Sequence, residues 1–252
     1  MVDDLVVEEV ADRLWCLRRR SYLTCSYLVG SRSNPGWVLI DTGMDSGGSD
    51  VQLGLRAAGA EWTDIRAIIV THWHNDHAAG AAEAHARSRA PVFCGEAEVP
   101  YVTRSTRRPG WIGRLGDRWP EQGPLVLFKG ILTNAPHRAV GSPTVASDGD
   151  IIEGFEVVET PGHTPGHLAI WEPESRTLFS GDALAVVDGG IRRMARPVTP
   201  EVRDAERSMA RVLDLRPARI CPGHRNPIDV TTHQVDTARA SLEDGSRWPL
   251  FG

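Results

Sequence analysis

The chain has 252 residues, 41% of them hydrophobic and 24% charged, and carries a net charge of -5. This is an ordinary soluble globular composition, long enough for a sizeable core, and its acidic balance argues against the basic face that nucleic acid requires. The start Met1-Val2-Asp3-Asp4 is acidic and no long apolar segment follows it, which predicts neither a secretory signal nor a membrane span.

Basic residues are almost all Arg, with Lys129 the only Lys. The one tight basic run, Arg18-Arg19-Arg20, reads as a solvated strand end rather than a phosphate clamp. Cys16, Cys25, Cys94 and Cys221 are scattered and form no C-x-x-C pair. Reduced, buried thiols and a cytoplasmic location are expected. Cys221 serves core packing or, three residues before His224, an accessory role.

Runs rich in β-formers at 14–17, 22–29 and 37–40 predict an antiparallel meander ending at Asp41-Thr42-Gly43. Asp41 either orients a metal ligand or caps the turn after its strand. Val51, Leu55 and Ala58 recur at helical spacing, with Gly59 where a C-terminal cap belongs. The apolar run 67–70 predicts a buried strand. It leads directly into Thr71-His72-Trp73-His74-Asn75-Asp76-His77, and small residues after it open a helix at about 79–87. Three imidazoles and a carboxylate within six positions, at the carboxyl end of a strand, are borderline ligands suited to Zn, Fe or Mn.

A short strand at 91–94 precedes a loop-rich insertion at about 103–143, in a chain otherwise expected to form a single domain over 1–252. Long insertions of this kind tend to carry function. Trp111 and Trp119 within it either line a substrate pocket or anchor the insertion to the core. Strands are then expected at 151–152, 155–158, 168–171 and 177–180. A helix follows with Thr199 as N-cap, Pro200 at its first position and the stripe Val202, Ala205, Met209 and Val212. A strand at 219–221 and a polar helix at about 230–242 close the series. Strands then helix, twice over, suggest two similar halves packed sheet to sheet with helices outside.

The second half contributes Thr160-Pro161-Gly162-His163-Thr164-Pro165-Gly166-His167, Ser180-Gly181-Asp182 and Pro222-Gly223-His224. Each ends a strand in a Gly-containing turn that presents a His or Asp at the sheet edge. Six of the nine histidines lie in these motifs and the His-rich loop; His85, His137 and His233 read as surface or core residues.

Together these motifs resemble those of metallo-β-lactamase-fold hydrolases, over nearly the whole length from Asp41-Thr42-Gly43 to Pro222-Gly223-His224. The resemblance implies a four-layer αββα sandwich of the α/β (α+β) class with a metal centre at one edge. Carried across residue by residue, it implies two divalent ions, zinc foremost, with iron or manganese also accommodated. His72, His74 and His163 would hold one ion and Asp76, His77 and His224 the other, with Asp182 bridging. His167 is then left as a supporting or substrate-side group.

Two divalent ions carry four positive charges, of which Asp76, Asp182 and a bridging hydroxide cancel three. The remainder suits an oxyanion forming on an attacked carbonyl, and metal binding lowers the pKa of water from ~15.7 towards ~7. Asp76 could accept a hydrogen bond from the hydroxide and fix its direction. The expected activity is therefore hydrolysis of an ester, thioester or lactone in a small-molecule substrate, by a monomer or homodimer. Zinc β-lactamases lack the carboxylate at the position of Asp182, acyl-homoserine lactonases place a Tyr after it, and glyoxalase II enzymes share all seven ligands. The alternatives are a mononuclear iron sulfur dioxygenase, whose Arg- and Cys-rich stretch after the Asp is missing here, and a non-catalytic metal-binding member.

Overall fold

A computed structural model describes residues 4–104 and 138–243 of the chain. Seven strands form the first sheet in sequence order: β1 (Leu5–Ala11), β2 (Leu14–Arg19), β3 (Cys25–Gly30), β4 (Trp37–Ile40), β5 (Ile65–Ile69), β6 (Val92–Cys94) and β7 (Thr144–Val145). The first four run antiparallel as the expected meander, and β4 to β7 are parallel.

The second sheet is built from β8 (Ile151–Ile152), β9 (Phe155–Glu159), β10 (Leu168–Glu172), β11 (Thr177–Gly181), β14 (Arg219–Pro222) and β15 (Ile228–Asp229). Its order is β15-β14-β11-β10-β9-β8. Between β11 and β14 the strands β12 (Ala185–Val187) and β13 (Gly190–Arg192) make a separate hairpin.

The central strands β3, β4, β10 and β11 are buried on both faces, so side-chain alternation distributes their residues between layers. In the first sheet Leu28, Leu39 and Ile68 face the helices α1 (Ser49–Ala57) and α3 (Ala81–Ser88), whereas Tyr27, Val38, Ile40 and Ile69 face the other sheet. There they meet Phe155, Val157, Leu168, Ile170 and Phe179. The second sheet sends Val158, Ala169, Trp171, Leu178 and Ile220 the other way, onto α5 (Val202–Asp214) and α6 (Thr232–Ala240). Three apolar layers between four layers of secondary structure make the αββα sandwich. All four cysteines are free and buried.

Several expectations need correction. β1 is an additional edge strand, half-buried, whose mid-strand Glu8 and Glu9 obscure its period. The helix after the His-rich stretch begins earlier and in two pieces: α2 (Asn75–Ala78) already contains Asp76 and His77, and α3 starts after Gly80. Thr199 does not cap α5. Its hydroxyl donates to the Ala195 carbonyl at 2.9 Å, closing a preceding 3-10 turn at Arg196–Val198, and the helix starts at Val202 after Glu201. Arg19 in the basic run pairs with the Asp50 carboxylate at 2.6 Å.

Most of the insertion, 105–137, lies outside the described residues, and so do Trp111, Trp119 and His137. Immediately before the insertion runs α4 (Val99–Val102). No helix among the described residues is long and apolar enough to cross a membrane.

Candidate metal centre

The ends of β4, β5, β9, β11 and β14 meet at one edge of the sandwich, and each delivers one motif. Asp41 follows β4, Thr71 to His77 follow β5, His163 and His167 follow β9, and Asp182 and His224 follow β11 and β14. The two sheets are tied at this edge by the Leu168 N–H donating to the Thr71 carbonyl at 2.9 Å.

All seven sequence-predicted ligands converge. Donor atoms of His72, His74 and His163 lie within 4.8 Å of one another, as do those of Asp76, His77 and His224, and those of His72, His77 and Asp182. His163 Nε2 is 2.9 Å from His74 Nδ1, and His77 Nε2 is 3.4 Å from His224 Nε2. Asp76 Oδ2 is 3.4 Å from His224 Nε2. Asp182 Oδ2 stands between the two groups, 3.3 Å from His163 Nε2 and 3.5 Å from His224 Nε2.

These spacings allow a direct test of fit. Ligands ~2.0–2.1 Å from a tetrahedral zinc ion are about 3.3–3.4 Å from each other, which is the spacing around Asp182. Among the described residues, His72 Nε2 and Asp182 Oδ1 are buried atoms with no hydrogen-bond partner. Buried polar atoms seldom go unsatisfied, and a cation in this cradle would satisfy both. Gly223 permits the close approach: a Cβ there would sit 2.3 Å from Asp182 Oδ1 and 2.8 Å from His77 Cε1.

The ring orientations follow from the partners on the far side of each imidazole. Asp41 accepts from the Thr71 N–H through Oδ1, and from Thr71 Oγ1 and His77 Nδ1 through Oδ2, each at 2.8 Å. The Thr71 hydroxyl, having donated to Asp41, accepts from His72 Nδ1 at 3.0 Å. Both rings thereby turn Nε2 toward the site, where it is the nitrogen free to bind a cation once any proton on it has left, the usual role of such outer partners. Asp41 thus bonds both to the Thr71 turn and to the His77 ring.

His224 Nδ1 reaches the Tyr22 carbonyl at 3.2 Å, which again turns Nε2 inward. His167 is fully buried: its Nε2 accepts from the Asp182 N–H at 2.9 Å and its Nδ1 pairs with Thr160 Oγ1 at 2.7 Å. Both of its ring nitrogens are thus engaged within the protein.

Charge divides the site. Burial, reinforced by neighbouring imidazoles, lowers His72 well below the ordinary range and His74 to about 4. Burial also lowers His163, against the pull of Asp182. For His77 burial acts in the same direction, but Asp76, Asp41 and Asp182 outweigh it and raise the imidazolium to about 10. Burial would raise Asp182, yet His224, His163 and His77 hold it well below the carboxylate range. Neutral imidazoles therefore make up the His72–His74–His163 group, and protonated imidazoles beside carboxylates the Asp76–His77–His224 group.

One buried group was not anticipated from the sequence. Glu98 is fully buried and its two oxygens accept from the Trp73 and Gly166 N–H groups, each at 2.8 Å. Trp73 itself stacks on Tyr101 with ring centroids 4.8 Å apart and meets the His74 ring edge-on. Glu98 belongs to no recognisable motif, and only its placement beside the ligand loops reveals it.

Comparison with known proteins agrees with this geometry. The sequence profile of the metallo-β-lactamase superfamily matches residues 23–224. The chain is 26% identical over 226 residues to the "Probable metallo-hydrolase YflN" of Bacillus subtilis, covering 80% of each. It is 29% identical over 121 residues to the hydroxyacylglutathione hydrolase of Bdellovibrio bacteriovorus, a match spanning 48% of this chain and 35% of that enzyme. Among solved structures, TTHA1623 in a di-iron-bound form superposes with a TM-score of 0.60 at 26% identity, covering 82% of this chain and 89% of the other. The chain belongs to the metallo-β-lactamase superfamily.

Proposed function

We propose that the protein is a dinuclear metal-dependent hydrolase of an ester, thioester or lactone bond. The observation that carries this reading is the spacing of donor atoms on both sides of Asp182, 3.3 Å to His163 and 3.5 Å to His224, which matches a carboxylate shared by two cations. His72, His74 and His163 would hold one, and Asp76, His77 and His224 the other. Two divalent ions bound there supply a Lewis acid for the substrate oxygen and ionise water near neutral pH. Zinc suits the nitrogen and carboxylate donors, and iron or manganese fits the same set.

The chain's own residues do the rest. Asp76, the more open of the two carboxylates, faces His224 at the mouth of the cluster and accepts the proton-bearing side of the attacking water. Asp41 and His167 hold His77 and the Asp182 backbone in register. The four thiols are buried, and in this reading water is the attacking group. The partial likeness to a hydroxyacylglutathione hydrolase supports the thioester arm of the reading.

The test is a panel of thioesters, lactones, carboxylic esters and phosphodiesters given to metal-free, Zn-, Mn- and Fe-loaded protein, with bound metal counted in each sample. Two ions per chain and turnover of one carbonyl ester class are expected. A single iron, oxygen consumption and no hydrolysis would replace this reading with a dioxygenase. Two bound ions with no turnover of any substrate would leave only metal binding.

A further inference from the structure

Two loops supply the three imidazoles of one ion position: His72 and His74 come from the loop after β5, and His163 from the loop after β9. The loops belong to different sheets, so nothing in the local sequence fixes one relative to the other. The Glu98 carboxylate lies between them. One oxygen accepts from the Trp73 N–H, which sits between His72 and His74, and the other from the Gly166 N–H, three residues beyond His163. Both bonds are 2.8 Å, and Glu98 is fully buried.

We propose that Glu98 is a positioning residue: it clamps the His72–Trp73–His74 segment to the His163–Gly166 turn and so sets the geometry of that imidazole triad for its cation. This inference rests on the metallohydrolase reading above, and it concerns only one of the two ion positions. The clamp is tight. A Cβ at Gly166 would lie 2.9 Å from Glu98 Oε1 and 3.0 Å from both its Cγ and its backbone nitrogen, so the Gly of Thr-Pro-Gly-His at 164–167 gives the carboxylate room. A carboxylate is the group this position needs, because it offers an acceptor oxygen to each of two N–H donors that point at it from opposite loops. An amide in its place turns its NH2 toward one of those donors. A merely space-filling residue would not discriminate between the two.

The experiment uses the full chain with Glu98→Gln as the principal variant, since it keeps shape and one acceptor, and Glu98→Ala and Gly166→Ala beside it. Cobalt(II) is titrated into metal-free protein in competition with a chromophoric chelator, and the d–d absorption bands are recorded at one and two equivalents. Affinity for the ion in the His72–His74–His163 position is expected to fall ~10–100-fold, the usual effect of losing an outer partner of a ligand, with altered band positions. Affinity at the Asp76–His77–His224 position should stay within about twofold.

Far-UV circular dichroism and the melting temperature identify a variant that fails to fold. If Glu98→Ala does so, Glu98→Gln carries the comparison. A wild-type cobalt spectrum with unchanged affinities in Glu98→Gln, even at a lower melting temperature, would overturn the inference and leave Glu98 a structural residue only. Wild-type protein that takes up no ion would instead overturn the metallohydrolase reading, and the inference with it.

Discussion

Replacing Asp41 by Asn tests how far the fold itself sets the chemistry of the imidazoles. Asp41 occupies the left-handed region at φ +57, where Asn is among the best tolerated residues, so the substitution adds no backbone strain. What changes is acceptor capacity. Oδ2 serves both Thr71 Oγ1 and His77 Nδ1, and Oδ1 serves the Thr71 N–H. An Asn amide has one oxygen and one NH2 group, so whichever way it turns, one or two buried donors lose their acceptor.

Each lost acceptor costs about 1–3 kcal/mol, roughly 2–4 kcal/mol in all. A domain of this size loses about 2–4 °C per kcal/mol, so the metal-free melting temperature should fall by roughly 5–15 °C. The second consequence is tautomeric. Without the carboxylate, His77 no longer needs its proton on Nδ1, and Thr71 no longer needs to accept from His72. Either ring can then carry its proton on Nε2, which disables it as a ligand. Zinc or cobalt affinity should fall ~10–100-fold, and at both ion positions, because Asp41 reaches His77 directly and His72 through Thr71. Thermal melts with and without metal, together with chelator-competition titrations, measure the two effects. An Asn variant melting within about 2 °C of wild type and binding both ions normally would refute the reasoning.

Further outcomes are expected from the same geometry. Asp182→Ala should abolish turnover and reduce the second ion, read as metal content after dialysis; wild-type activity in that variant would remove the bridging role. Metal uptake at neutral pH should release about one proton from His77, with a contribution from His224, whose imidazolium Asp182 and Asp76 also raise against the effect of burial. The sign follows from a folded value of about 10 against an ordinary 6.5. Protonated His77 stabilises the metal-free fold fully below pH ~6.5, that stability is lost as pH rises through about 10, and metal affinity climbs over the same interval. Calorimetric titrations in buffers of different ionisation enthalpy count the proton, and a count of zero would contradict the assignment. Gly223→Ala should lose most activity while keeping its secondary structure, because its Cβ would meet Asp182 and His77; full turnover would show that the turn can yield.

The alternation of buried side chains made most strands legible, since a strand buried on both faces by two apolar layers reads as a continuous apolar run, as at 37–40 and 67–70. It failed where the physics differs. β1 is an edge strand, and charges such as Glu8 and Glu9 on an edge protect it from pairing with another chain while erasing the periodic signal. Thr199 looks like an N-cap because Ser and Thr hydroxyl oxygens at that place usually accept from backbone N–H groups in the first turn of the following helix. Here the hydroxyl bonds backwards to Ala195, a choice set by the preceding turn. The hairpin β12–β13 had a readable sign in Asp188-Gly189, whose φ values of 50 and 71 are those of a two-residue turn.

The candidate site was legible in proportion to how its residues act. The candidate ligands His72, His74, Asp76, His77, His163, Asp182 and His224 declare themselves because ligand chemistry restricts residue type, because the first four crowd into one strand end, and because the last three each sit in a Gly-containing turn. The residues that aim them are harder to see. Asp41 was ambiguous between two roles, and Glu98 gave no sign at all, because accepting from a backbone N–H such as that of Trp73 or Gly166 leaves no mark on the sequence of the donor. The ligands also come from both sheets, so they meet only after the layer containing Ile40, Ile69, Phe155 and Phe179 has packed. The donor spacing around Asp182 is therefore a property of the whole sandwich. A cavity opened in that layer, far from any imidazole, would act on the two ion positions through the distance between the sheets, whereas a change at Asp41 would act through the His72 and His77 rings and one at Glu98 through the two loops it joins. Comparing core variants with the Glu98 variant in the same cobalt titration separates these two routes: the first should weaken both ions together, and the Glu98 variant only one.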